Sequence, residues 1–179
     1  MGLASTLPVE IIVVPDILFA IVDNTVYYTG DGANWSQSGK LQTLNINAFD
    51  KFKSLMFVGT NSGLYKDDGT FYGSGATLSL VDIFSSPSTS AGIVVNDVVS
   101  DSDRLIVGLS DGRVAVLYNN IWTVLTESNL NVIHKILAVG DRIWFFGDNM
   151  LSIAEGTGSS LSFISFVGSP ILVNTGALV

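Results

Sequence analysis

Leu105-Ile-Val-Gly-Leu-Ser-Asp-Gly-Arg-Val-Ala-Val116 joins two apolar runs through a tight turn of Ser110, Asp111 and Gly112. Val and Ile suit a pleated, half-buried surface, and Asp-Gly tolerates the positive φ that a short hairpin demands. The phrase occurs three more times. It reads Ile17-Leu-Phe-Ala-Ile-Val-Asp-Asn-Thr-Val-Tyr-Tyr28, Leu55-Met-Phe-Val-Gly-Thr-Asn-Ser-Gly-Leu-Tyr65 and Ile143-Trp-Phe-Phe-Gly-Asp-Asn-Met-Leu-Ser-Ile153. A spacing of roughly 40 residues is that of a four-stranded propeller blade.

Each phrase is flanked by further apolar runs. Ile11–Val14, Leu44–Phe49, Ile93–Val99 and Val132–Val139 precede the copies, and Asn34–Gln37, Thr70–Tyr72, Ile121–Leu125 and Leu161–Phe166 follow them. Four short strands in each of four repeats predict an all-β fold, a β-propeller of four blades with four antiparallel strands apiece. A β-sandwich also uses short strands but has no internal period. The repeats fall at approximately residues 8–42, 43–84, 93–130 and 131–168, within one propeller domain over 1–168. Ser85–Gly92 reads as a loop inserted between the second and third.

Residues 169–179 form an apolar, uncharged tail. Its Pro170, Ile171, Leu172 and Val173 echo the opening Pro8-Val-Glu-Ile-Ile-Val-Val14. An apolar segment left in solvent invites association, so these four residues are candidate assembly contacts. They either latch onto the chain's own first blade or donate a strand to a neighbouring chain.

Composition narrows the function classes. Of 179 residues, 47 % are hydrophobic and 13 % charged, which is too apolar for a disordered segment. The net charge of −8 argues against nucleic acid or an anionic membrane as partner, since both select basic patches. The absence of Cys excludes disulfides and thiolate metal sites. Met1–Val14 has no basic start and carries Glu10, so it does not read as a signal peptide. No apolar run reaches the roughly 18 residues of a membrane-spanning helix.

Thr29-Gly-Asp-Gly-Ala-Asn-Trp35 resembles an Asp-box, the hairpin signature of sialidase-type and related propellers. The resemblance implies structural roles for Thr29, Asp31, Gly32 and Trp35: the Asp carboxylate accepts backbone N–H bonds, Gly takes positive φ, and Trp packs between sheets. Fragments recur at Lys66-Asp-Asp-Gly-Thr-Phe71, Tyr118-Asn-Asn-Ile-Trp122 and Glu155-Gly-Thr-Gly158. Such boxes sit at the blade periphery, away from the central face where ligands bind. The glycine-rich, cysteine-free repeats are also similar to propeller domains of bacteriophage tail and virion proteins. That likeness implies a virion location after assembly in the host cytoplasm, with other virion or tail proteins, or copies of this chain, as partners.

Candidate chemistry is sparse. A sialidase-type glycosidase needs three arginines converging on a carboxylate, a Tyr with a Glu partner, and an acid/base Asp. The chain holds only Arg104, Arg113 and Arg142, and Arg104 and Arg142 occupy the same turn of successive repeats. Glu10, Glu127 and Glu155 stand beside no Tyr in a matching pattern. His134, the single histidine, falls in an innermost strand and reads as a packed or edge residue, with no nucleophile elbow to complete a triad. Asp16, Asp67, Asp68, Asp101, Asp103, Asp141 and Asp148 offer oxygen ligands of the Ca²⁺ type, but Asp in turns is expected for backbone reasons. No catalytic, cofactor-binding or metal residue is assigned, and no cofactor. Trp35, Phe71, Trp122 and Phe163 share a repeat position that predicts inter-blade packing. Tyr27, Tyr28, Tyr65, Tyr72 and Tyr118, near blade edges, are of a kind that stacks on sugars. The expectation is a non-catalytic structural or interaction module of a phage virion or tail. The alternatives are an adhesin or receptor-binding domain for a cell-surface glycan and, less well supported, a glycosidase.

Overall fold

The computed structural model describes residues 10–14, 17–22, 25–38, 45–67, 78–84, 92–126, 128–148 and 150–167. These residues form sixteen strands and no helix. The first sheet holds β1 (Glu10–Val14), β2 (Ile17–Val22), β3 (Thr25–Thr29) and β4 (Ser36–Gln37). The second holds β5 (Ile46–Phe52), β6 (Leu55–Thr60), β7 (Gly63–Lys66) and β8 (Ser79–Leu80). The third holds β9 (Val95–Ser100), β10 (Arg104–Leu109), β11 (Val114–Tyr118) and β12 (Ile121–Leu125). The fourth holds β13 (Lys135–Val139), β14 (Arg142–Phe146), β15 (Met150–Glu155) and β16 (Ser162–Val167). Every sheet is an antiparallel meander in chain order, so the molecule is a β-propeller of four four-stranded blades.

The period of two along a strand gives each blade two faces. In β10, Leu105, Val107 and Leu109 join a core shared with the second blade, while Ile106 joins one shared with the fourth. Phe19, Ile21, Phe49, Met56 and Val58 likewise fill the space between the first and second blades. Three inter-blade cores result. Gly59 and Gly108 sit where the next blade approaches most closely, and a Cβ added at either would lie 2.6 Å from a methyl of Val95 or Ile133.

Polar fasteners join the innermost strands. Asn47 and Asn96 occupy bulges at matching positions of β5 and β9, and their Nδ2 groups donate to the carbonyls of Val95 (2.9 Å) and Ile133 (2.8 Å) on the following blade. Asp50 accepts the Ser100 N–H at 2.6 Å and its hydroxyl at 2.9 Å. Asp97, fully buried, accepts the Ile136 N–H at 2.6 Å and the Lys135 ammonium at 3.1 Å.

The array is open. β1 packs on β5, β5 on β9 and β9 on β13, and among the described residues β13 and β1 do not pack together in this way. On the first blade's free face Ile11 is 59 % exposed and Val13 75 %. On the fourth blade's free face Val139 is 55 % exposed and Ile164 52 %.

Several expectations need correction or fall outside the described residues. The outer strand of the second blade is Ser79–Leu80, pairing with Tyr65 and Lys66. The 70–72 run expected there is outside the described residues, as are Asp16, the Asp23-Asn24 turn, Asp68, Glu127 and residues 85–91 of the inserted loop. The tail, with Pro170, Ile171, Leu172 and Val173, is outside them too. His134 precedes β13 rather than lying in it, because pairing with β14 begins at Lys135↔Phe146, and it is exposed.

Candidate functional site

An open groove of about 620 Å³ lies between the third and fourth blades. The Ser100–Arg104 turn walls one side, and Ala138, Gly140, Asp141 and the Glu155–Gly158 turn wall the other. Arg104 is buried at its centre. Its Nε donates to Asp101 Oδ2 at 2.8 Å, and its Nη2 donates to the same carboxylate. Nη1 crosses to the fourth blade and donates to the Gly156 carbonyl at 2.9 Å. A guanidinium whose fork is committed to one carboxylate and a partner blade's carbonyl is a staple between blades. The rim carboxylates Asp103, Asp141 and Glu155 are exposed.

The remaining arginines stand elsewhere. Arg113 follows the β10–β11 turn, at the opposite end of that hairpin from Arg104, bridges Asp111 and stacks on Phe84 with its guanidinium 4.4 Å from the ring centre. Arg142 is exposed and pairs with Glu155 at 2.7 Å. Each arginine therefore has its own carboxylate, and the three do not converge as a substrate clamp would require. His134 Nε2 meets Asp148 Oδ1 at 2.6 Å on an exposed edge of the fourth blade. Among the described residues no group of three or more His, Asp or Glu side chains is placed to hold a metal ion.

In the Thr29–Trp35 hairpin the hydrogen bonds gather on the Asp31 carboxylate. Asp31 Oδ1 accepts the N–H groups of Ala33 (2.9 Å) and Asn34 (2.8 Å), and the Thr29 hydroxyl donates to it at 2.8 Å. The Asn34 amide donates to Oδ2 at 2.8 Å. Gly32 takes φ +73° with open space around its Cα, so conformation rather than crowding selects glycine there. These bonds to the ionised form, led by the Asn34 N–H, hold the Asp31 carboxyl well below the usual carboxylate range. Trp35 is half-buried at the blade edge, whereas Trp122 and Phe163 pack against the second and third inter-blade cores, and Phe71 is outside the described residues.

In the sequence Arg104 shows only as one of two arginines at the same turn of successive repeats, and nothing there assigns a role to Asn47, Asn96, Asp50 or Asp97. A polar residue at the same position of successive innermost strands, as with Asn47 and Asn96, was the available signal.

No family model matches the chain, and no curated protein matches it. Solved structures do, at low identity. The chain is similar to the computationally designed Ika8 protein (TM-score 0.58, 14 % identity, 89 % of this chain and 62 % of that one). It is also similar to PorZ, a bacterial surface component of the type-IX secretion system of Porphyromonas gingivalis (TM-score 0.56, 15 % identity, 94 % and 29 %). The N-terminal domain of Nup159 aligns with TM-score 0.55 and 9 % identity over 89 % of this chain and 44 % of that one. The chain thus spans less than two thirds of each of these three. What it shares with them is the propeller fold.

Proposed function

We propose that this chain is a non-catalytic structural and interaction module, a component of a bacteriophage virion or tail that docks to other proteins through the ends of its blade array. The observation that carries the interaction reading is the pair of apolar faces on the first and fourth blades, with Val13 and Val139 both more than half exposed. Apolar sheet faces of this kind mark association surfaces. The use of Arg104, Asp50 and Asp97 as blade-to-blade fasteners supports the non-catalytic part. The virion part rests on the resemblance of the repeats to phage propellers.

Peptide mass spectrometry of particles purified from cells carrying the gene tests the virion reading. The chain is expected among the particle proteins, and its absence from them overturns that reading. Assay of the purified chain on glycoside substrates tests the rest. Hydrolysis that disappears on replacing a single carboxylate would make the chain an enzyme.

A further inference from the structure

We infer that the two free blade faces belong to one interface, and that a second copy of this chain closes the array into a head-to-tail ring of eight blades. This rests on the interaction reading above and names its partner. Strand pairing fixes which residues are equivalent. Ile11, Phe49, Val98 and Ile136 pair with Ala20, Val58, Val107 and Phe145, each of which stands three residues after the first residue of its strand, Ile17, Leu55, Arg104 or Arg142. All four face the preceding blade. Phe49, Val98 and Ile136 have a preceding blade and are buried, whereas Ile11 has none among the described residues and is 59 % exposed. On the opposite face Val139 occupies the place of Phe52, which the third blade buries. Arg142 occupies the place of Arg104, which reaches across to Gly156 of the next blade.

The free ends are therefore the two halves of an interface that this molecule already makes three times. A face that looks forward mates with one that looks backward, so the contact is heterologous. Heterologous contacts close into rings when the rotation allows. Propellers commonly close with 4 to 8 blades. Closure at four would bury Ile11 and Val139 against each other's blades, and they are exposed. Two copies give eight. The register carries over as well: Ser100 of the third blade lies on Asp50 of the second, with an N–H to carboxylate distance of 2.6 Å. The equivalent positions on the free ends are Val13 and Leu137, so Val13 of one copy lies on Leu137 of the other.

The test is mass by sedimentation at roughly 100 µM, above the micromolar affinities that standard-sized interfaces reach. The wild-type chain is expected at twice its 19.0 kDa. Val13→Arg blocks one end and Val139→Arg the other. Both positions are already exposed, and far-ultraviolet circular dichroism checks that the sheets persist. Each variant alone is expected at 19.0 kDa, while their mixture recovers the doubled mass through the one intact pair of faces. A wild-type monomer overturns the ring. So does dissociation by only one variant, which means a face pairs with itself, and so does a ladder of higher masses, which means an open filament. Val13→Cys combined with Leu137→Cys gives an independent reading, since the chain has no other cysteine. A short bis-maleimide should link two chains, and closure within one chain contradicts the proposal. The particle and glycoside assays do not depend on mass, so failure of the ring leaves the broader reading to stand or fall by them.

Discussion

Gly108 is glycine because β10 meets the following blade at that point, where a Cβ would stand 2.6 Å from Ile133 Cγ2. Isoleucine is branched at Cβ and stiff at χ1, so it has little room to yield. Gly108→Ala is expected to destabilise by about 1–3 kcal/mol, as overpacking does; urea unfolding measures it, and an unchanged midpoint would show that the blades can part. Asp31 acts differently, through an exposed turn. Its folded-state pKa is depressed, so its contribution is present above the unfolded value and is lost as pH falls through the folded one. Asp31→Asn should lower the melting temperature at neutral pH. The gap to wild type should narrow below the ordinary carboxylate pKa and vanish only in stronger acid. The Asp31 turn was legible in the sequence because all its partners lie within three residues. The closeness of Ile133 to Gly108 was not, because two separate blades create it.

Among the elements, the contact between the third and fourth blades is the best furnished with polar groups. Arg104→Ala would leave Asp101 without its guanidinium and the Gly156 carbonyl without its donor. Breaking a buried pair from one side costs about 3–5 kcal/mol, and a chemical denaturation curve reads the loss. The same change at the exposed Arg142 should cost under about 1 kcal/mol. Asp97 gives a pH signature of opposite sign to Asp31. Burial raises its pKa against the pull of Lys135. Its contribution is complete below the unfolded value and is lost as pH rises through the folded one. Asp97→Asn should therefore flatten the decline of stability with pH above the ordinary carboxylate pKa, and an unaltered slope would contradict this assignment. Strand existence was legible at this scale where runs are long, as in β10 and β14. The outer strand of the second blade was not, since Ser79 and Leu80 carry little pattern and are defined by pairing to Tyr65 and Lys66.

Across the whole molecule, the four-fold echo in the sequence is a four-fold repetition of blades, and it was legible because each sheet is built from four strands consecutive in the chain. What the sequence could not convey is that, among the described residues, the series stays open. Arg104 and Arg142 hold the same place in their repeats and look alike in sequence. One is buried and the other exposed because the third blade has a blade after it and, among the described residues, the fourth has none. Equivalent positions of the four blades differ only in whether a neighbouring blade covers them, and thiol labelling rates test this. Single variants Ile11→Cys, Phe49→Cys, Val98→Cys and Ile136→Cys, labelled in dilute solution, should divide into one fast position and three strongly protected ones. Labelling at position 11 should then slow as the protein is concentrated. Four equally protected positions would mean a ring closed within one chain, and four equally fast ones would mean that these strands do not face their neighbours at all.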